Sequence, residues 1–482
     1  MKKTIWSPQQ RQKVFQSRGE YEALYGGAAG GGKTDALVAE ALRQVHIPHY
    51  RAIIFRKTYT QLTDIIDKSR FIYKLAYPKA KYNSTEHCWT FPSGAKIYFG
   101  QMQYVKDRVK YQGKAFDFIA FDELTHFTFD EYSYMFSRNR PSGPGTRVYM
   151  RAATNPGGIG HGWVKDRFIT AATPMTPIVE NINVLTPDGK RIDMQRSRIF
   201  VPSTVFDNKI LLENNPNYLA SLQMLPSKER DALLYGSWDS FDGQVFREWT
   251  NNPDNYESRR WTHVISPFKI PKSWRIYRGF DWGYSKPFAV LWYAVDTDGK
   301  MYQINEFYGT NGTPNVGIQM NAADIAANIR KIEAEDENIK GHDIVGIADP
   351  AIFEESMGES IARIMEKPPN CILWRRGDHT RIAGKMQIHH RLSFDDDGDC
   401  LLQIFNTCKH TIRTLPSLVY DETKTEDVDT KGEDHIYDAK RYVCMAHPVG
   451  PRKSAIPPIV LGDPLHQHES DIINNKYKFY RV

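Results

Sequence analysis

Cysteine is scarce in this 482-residue chain: Cys88, Cys371, Cys400, Cys408 and Cys444, with no C-x-x-C pair among them. That spacing excludes a zinc ribbon and a dithiol redox site and leaves reduced, buried thiols as the expectation. No run approaches the ~20 apolar residues needed to cross a bilayer, so no membrane segment is expected. The start, Met1-Lys2-Lys3-Thr4-Ile5-Trp6-Ser7-Pro8, is basic but lacks the apolar core of a signal peptide. Internal repeats and low-complexity stretches are absent. Charge of one sign is also lacking: 63 Lys and Arg face 57 Asp and Glu, a net +6. That balance permits nucleic-acid binding without demanding it, because a local patch matters more than the sum. What remains is 41% hydrophobic, 12% aromatic and 25% charged, the composition of folded domains. The length suggests about two to four of them.

Two β/α-rich regions separate along the chain. The first, to about Pro202, alternates short apolar strands with helical segments, as βαβ units do. A polar, helical stretch follows from Ser203 to about Asp239. The turn Asp242-Gly243-Gln244 and the Asn- and Pro-rich loop from Asn251 to Tyr256 mark a linker. The expected domains are therefore 1–202, a lid and linker over 203–255, and 256–482. The last opens with three apolar runs, at 274–281, 288–293 and 301–304, broken by turns as in an antiparallel meander. The acidic run from Asp421 to Asp434 reads as a mobile loop.

Gly27-Ala28-Ala29-Gly30-Gly31-Gly32-Lys33-Thr34 matches G-x-x-x-x-G-K-[ST] in full. Glycines such as Gly27, Gly30 and Gly32 let the backbone curl so that its N–H groups face phosphate oxygens. Lys33 then reaches the β- and γ-phosphates of ATP, and the Thr34 hydroxyl ligates Mg²⁺. The flanks fit, with an apolar run at 21–25 and a helix-forming stretch after the loop, whose N-terminus favours an anion. An apolar strand at 116–121 ends in Asp122-Glu123: Asp122 holds Mg²⁺ through water and Glu123 is the general base for the attacking water. Three further elements carry alternatives. Gln9 is placed to read adenine, or is simply a polar helix start. Thr154-Asn155 senses the γ-phosphate, or forms a turn with Pro156-Gly157. Arg138 and Arg140 stabilise transition-state charge on a neighbouring subunit's ATP, contact DNA, or are solvated.

Three carboxylates stand out in the second region. Asp281 ends a strand in Gly279-Phe280-Asp281-Trp282-Gly283, Asp349 ends another before Pro350, and Asp438 sits in a helical stretch, His435 to Tyr442. Phosphodiester hydrolysis uses two divalent ions, one to generate the nucleophile and one to stabilise the leaving oxygen. Hard cations such as Mg²⁺ or Mn²⁺ take oxygen ligands, which three aspartates supply. Each alone also fits a strand-end or helix cap. Glu306, Asp429 and Asp434 are lesser candidates, and one histidine, His435, among carboxylates argues against zinc. Arg56-Lys57, Lys106, Arg108, Lys110, Arg375-Arg376 and Arg381 are basic candidates for phosphate-backbone contact.

Taken together, these motifs resemble the large terminase subunits of tailed double-stranded DNA phages. The resemblance rests on Gly27 to Thr34, Phe118 to Glu123, Ala153 to Gly157, Val201-Pro202-Ser203-Thr204-Val205-Phe206-Asp207-Asn208 with Leu234-Tyr235-Gly236-Ser237-Trp238, Gly279 to Gly283, and His435 to Tyr442. It implies an α/β fold: a P-loop NTPase domain of ASCE/RecA-like type with a small helical lid, then an RNase H-like nuclease domain. It further implies a homo-oligomeric ring, typically a pentamer, on the portal protein of the prohead, driving double-stranded DNA inward. A small terminase subunit is the genome-recognising partner, and the setting is the host cytoplasm rather than the mature virion. Lys33, Thr34, Asp122 and Glu123 carry over as the ATPase site, Thr154-Asn155 as the coupling segment, and Asp281, Asp349 and Asp438 as metal ligands that cut concatemeric DNA. Many family members carry an arginine inside the P-loop; residues 28–31 have none. A cis arginine from that loop is excluded, which turns attention to Arg138 or Arg140 in trans.

Two other classes compete. A repair or recombination helicase with a fused nuclease needs a second RecA-like core, and none follows Asp239. A non-enzymatic packaging adaptor predicts broken motifs, whereas every motif residue here is present.

Overall fold

The computed structural model describes residues 5–225, 230, 233–238, 243–355, 358–421, 424 and 426–450. Asp239 and Asp242, which mark the expected end of the lid and the linker turn, lie outside them. The chain forms two compact units, Met1–Arg247 with Pro416–Asp434, and Glu248–Leu415 with His435–Val482. The second unit thus starts at Glu248, eight residues before the expected domain start at 256. Residues 416–434 return to the first.

The first unit is built on a nine-stranded sheet. Its strands are β1 (Glu22–Gly27), β2 (Arg51–Arg56), β3 (Lys81–Asn83), β4 (Cys88–Thr90), β5 (Lys96–Gln101), β6 (Phe118–Asp122), β7 (Tyr149–Thr154), β8 (Ile178–Leu185) and β9 (Arg191–Ser203). They run in the order β3-β4-β5-β2-β6-β7-β1-β9-β8. Six consecutive strands, β5, β2, β6, β7, β1 and β9, are mutually parallel. Parallel strands covered on both faces read as continuous apolar runs, as Phe118-Ile119-Ala120-Phe121 does, each side chain fully buried. Burying one such Phe or Ile contributes roughly 1.5–3 kcal/mol. β7 lies between the strand that leads into the glycine-rich loop and the strand that ends in Asp122. That additional central strand is the mark of the ASCE class of P-loop folds.

Three helices serve the first site: α1 (Gln10–Gln16), α2 (Lys33–Glu40) and α3 (Tyr59–Ala76). Thr58 caps α3, its hydroxyl accepting from the Gln61 amide in a capping box. Two short helices, α4 (Lys209–Asn214) and α5 (Asn217–Gln223), enclose a small separate core of Val205, Leu222 and Leu234 with Leu211 and Tyr218. That core falls within the stretch from Ser203 onward. Among the described residues of the run 421–434, expected as a mobile acidic loop, turns and bends prevail and Val428 alone makes a bridge, to Tyr420, while Val428 and Asp429 are buried.

The second unit holds a seven-stranded sheet of β10 (Val264–Ile265), β11 (Arg275–Asp281), β12 (Ala289–Val295), β13 (Met301–Tyr308), β14 (Ile344–Ala348), β15 (Arg375–Arg376) and β16 (Leu402–Phe405). The order is β10-β16-β13-β12-β11-β14-β15. β11, β12 and β13 form the antiparallel meander, while β14 and then β15 add in parallel on the other side of β11. A 3-2-1-4-5 core with only its second strand reversed is the RNase H-like arrangement. Helices α6 (Arg381–Leu392) and α7 (His435–Ala446) pack against each other, and α7 lies on β11. Gly279 sets that approach, because a Cβ there would fall 2.5 Å from the Ala439 carbonyl oxygen. Any larger residue at 279 would lift the helix that carries Asp438.

Candidate active sites

In the first unit the glycine-rich loop leaves β1 and turns into α2. Gly27, Gly30 and Gly32 all have positive φ, at 122°, 73° and 69°. The loop is tied from several sides. Ala28 donates to the Ser203 carbonyl (2.8 Å) and Ala29 to the Leu233 carbonyl (2.7 Å), while Asn208 Nδ2 donates to the Gly30 carbonyl (2.6 Å) and Gln12 Nε2 to that of Gly32 (2.8 Å). Gly236 of the Leu-Tyr-Gly-Ser-Trp segment sits so close that a Cβ would fall 2.8 Å from the Ala28 amide. The two segments flanking the lid therefore build the back wall of the loop.

Lys33 is buried, and its ammonium donates to the Ala28 carbonyl. Burial pushes its pKa down, against the pull of Glu123 and Asp122. The Thr34 hydroxyl donates to Asp122 Oδ2 at 2.9 Å. The same oxygen accepts from both Arg56 Nε (2.9 Å) and a terminal guanidinium nitrogen (2.6 Å). Burial acts to lower the Arg56 pKa, but Asp122 and Glu123 outweigh it and leave it raised. Arg56 ends β2, which is hydrogen-bonded to β6, so strand pairing places it beside Asp122. By sequence it stands with the DNA-contact candidates; the structure instead puts it on Asp122, and Lys57 on buried Glu131 at 2.7 Å. Spacing along the chain holds no signal for this, because the partners meet only through the sheet.

Glu123 has φ of +55°, the left-handed region. For a residue with a Cβ this costs about 1–3 kcal/mol, a strain that concentrates at functional sites. The next residues lock to β7. The Thr125 amide donates to Thr154 Oγ1 (3.2 Å), the two threonine hydroxyls are 2.8 Å apart, and Thr125 Oγ1 donates to the Asn155 carbonyl (3.1 Å). The side-chain oxygen of Asn155 is buried with no hydrogen-bond partner among the described residues. Gly157 N donates to His161 Nδ1, and the His161 ring lies 5.2 Å from that of Trp238. The turn after Glu123, the Thr154-Asn155 segment and the lid's return are thus one bonded chain.

The other predicted residues lie differently. Gln9 caps α1, with its amide nitrogen donating to Asn208 and its oxygen accepting from the Lys209 amide at 2.8 Å. Both ends of the amide are engaged by the lid rather than presented to a base. Arg138 stacks over Tyr134, 5.2 Å from the ring centroid, and Arg140 donates to the Gly113 carbonyl. Both flank Phe116, at the opposite end of β6 from Asp122. Both therefore stand apart from Asp122 within this chain.

In the second unit, parallel register brings Phe280 beside Ala348, and the Asp349 amide donates to the Phe280 carbonyl at 3.0 Å. Asp281 and Asp349 therefore end adjacent strands. Asp349 caps the following turn, accepting from Ala351 N. Asp281 is buried; burial first, then Asp438 and Asp349, push its pKa well up, with Arg441 and Arg381 pulling it back. His435 Nδ1 lies 3.3 Å from Asp281 Oδ2 and its Nε2 lies 3.0 Å from Asn315 Oδ1, fixing the start of α7. Asp438 accepts from Arg381 (3.1 Å) and from Arg441 Nε (3.0 Å). The three aspartates share one neighbourhood, but Asp438 is turned to its arginines. Among the described residues no three carboxylates, histidines or cysteines converge closely enough to enclose a metal ion in this conformation. The donor set nonetheless suits hard divalent ions, since all three members offer carboxylate oxygens.

Of the lesser candidates, Glu306 caps the helix Lys409–Thr414, accepting from the His410 and Thr411 amides at 2.6 and 3.0 Å. Asp429 and Asp434 group with the first unit, Asp434 directly preceding His435.

Residues 24–250 match the family described as "Terminase large subunit, T4likevirus-type, N-terminal". No curated protein matches the sequence. Among solved structures, the chain is similar to the large terminase of a thermophilic bacteriophage, at 17% identity and a TM-score of 0.37 over 91% of this chain and 98% of that one. It is also similar to the large terminase of bacteriophage HK97, at 11% identity and a TM-score of 0.45 over 91% and 94%. Similarity to the P22 large terminase nuclease domain covers 42% of this chain and 92% of that domain, at 15% identity and a TM-score of 0.32.

Proposed function

We propose that the chain, whose residues 24–250 match the large terminase family, is a genome-packaging motor that hydrolyses ATP to drive double-stranded DNA into a prohead and cuts concatemeric DNA at a separate site. The observation that carries the motor reading is the bonded path from Lys33 and Thr34 through Asp122 and Thr125 to Thr154, Asn155 and Trp238.

At the ATPase site, the loop glycines and Lys33 hold the phosphates. Thr34 and Asp122 form the oxygen pair that flanks Mg²⁺, and Arg56 offsets the charge of Asp122. Glu123 takes the proton of the attacking water. Thr154 and Asn155 pass a change at that turn to His161 and the lid. Arg138 or Arg140, away from their own site, serve a neighbour's ATP in a ring, so hydrolysis requires assembly. At the nuclease site Asp281, Asp349 and Asp438 would hold divalent ions, Mg²⁺ or Mn²⁺, whose chemistry would be to activate a water and stabilise the leaving oxygen. DNA, the portal, a small terminase subunit and further copies of this chain are the partners, in the host cytoplasm. No helix among the described residues is long and apolar enough to cross a membrane.

A packaging assay tests the reading. Proheads, linear duplex DNA and ATP are mixed with the chain, and DNase-protected DNA is measured. Lys33→Ala abolishes protection while Asp281→Ala retains it on pre-cut DNA. Protection that survives Lys33→Ala contradicts the motor reading.

A further inference from the structure

The sheet face that carries the aspartates continues into a groove of about 680 Å³. Its floor includes Tyr277, Val345 and Ile347, which alternate along β11 and β14 in phase with Asp281 and Asp349 and so share their face. One wall is α7, through Tyr442 and Met445, which follow Asp438 on the same side of the helix. The other wall is edge strand β15, whose Arg375 and Arg376 are both exposed. Arg275 stands at the far end, with Asp343 near it.

The groove and the carboxylates meet at Tyr442. Its ring packs on Gly377, where a Cβ would fall 2.9 Å from the tyrosine. Tyr442 lies one turn beyond Asp438 on α7, the helix that packs on β11, which ends in Asp281. A path therefore runs from the metal-binding aspartates, past an aromatic side chain, into a slot with a cationic wall. Arginines against phosphates and aromatic rings against bases are how single strands are held without regard to sequence. A nucleotide-sized ligand takes a site on the order of 300 Å³, so this groove suits one or two nucleotides of one strand and not a stacked duplex.

We propose that this groove binds an unpaired stretch of nucleic acid next to the scissile phosphate, with Arg375 and Arg376 on its phosphates, so that the nuclease cuts a strand drawn out of the duplex. This rests on the nuclease reading of Asp281, Asp349 and Asp438.

The test uses the full chain carrying Asp281→Asn, which disables cutting, and reads the fluorescence anisotropy of a labelled single strand of about 12 nucleotides and of a hairpin duplex. Adding Arg375→Ala and Arg376→Ala weakens single-strand binding about tenfold and lowers its salt slope by about 1–2. Duplex binding changes less than about twofold, and lysine at both positions restores part of the loss. Both arginines are exposed, so an unchanged melting temperature shows that the fold is retained. Unchanged single-strand binding, or an equal loss for duplex, overturns the proposal even where the unmodified chain cuts plasmid. Selective loss of single-strand binding supports the groove, and plasmid left intact by the unmodified chain would then count against the nuclease reading alone.

Discussion

The two sites handle charge in opposite ways. In the first unit, Lys33 and Arg56 stand against Asp122 and Glu123, and one carboxylate oxygen of Asp122 gathers three hydrogen bonds. Its residues are locked to one another through the Thr125–Thr154 contacts. In the second, three aspartates meet two arginines, both arginines hold Asp438, and buried Asp281 keeps a pKa well above the carboxylate range. The charges of the first site are offset by its own side chains, whereas the second holds more acid than its two arginines offset.

Removing Arg56 is the sharpest way to break the balance of the first site. Arg56→Ala leaves Asp122 buried beside one hydroxyl. ATPase activity of the assembled protein should fall about 10–100-fold, since losing one partner of a buried pair costs about 3–5 kcal/mol, in part offset by Mg²⁺. Because Arg56 acts through Asp122, the Mg²⁺ concentration for half-maximal rate should also shift, and Arg56→Lys should restore part of the rate. An unaltered rate and Mg²⁺ dependence would separate Arg56 from the site.

A smaller effect is expected from relieving the second site. The folded-state pKa of Asp281 is raised above its unfolded value. Its stability contribution is therefore complete below the ordinary aspartate pKa and is lost as pH rises through the folded pKa. At neutral pH its charge works against the fold. Asp281→Asn should melt a few degrees higher at about pH 7–8, given about 2–4 °C per kcal/mol for a domain of this size. The gap should close toward about pH 4, near the ordinary aspartate pKa, and adding Mn²⁺ should narrow it by stabilising the unmodified chain alone. Equal melting temperatures across that range would show that the aspartates do not strain the unit.

The same contrast explains what was legible in the sequence. Gly27 to Thr34, Asp122-Glu123 and Thr154-Asn155 could be read because their chemistry fixes residue types at short spacing. Asp281, Asp349 and Asp438 could be read as strand-end and helix aspartates because the meander made the strands recognisable. Arg56 could not, because only the pairing of β2 with β6 gives it a partner 66 residues away. Arg441 lies one turn from Asp438 on the same helix and was open to a helical-spacing argument, whereas Arg381 reaches it from another helix. Asn208 stood inside a recognised motif, yet its bond to the Gly30 carbonyl depends on where the lid packs.

The most direct test of the claim that one chain carries two separate chemistries is a paired assay on the unmodified protein, Glu123→Ala and Asp281→Ala. ATP hydrolysis and cleavage of supercoiled plasmid with Mg²⁺ or Mn²⁺ are measured on each. Glu123→Ala should lose hydrolysis by about 10²–10⁴-fold and keep cutting, while Asp281→Ala should lose cutting and keep hydrolysis. If plasmid stays intact with either metal in all three proteins, or if one substitution removes both activities from a folded chain, the account of two independent sites is contradicted.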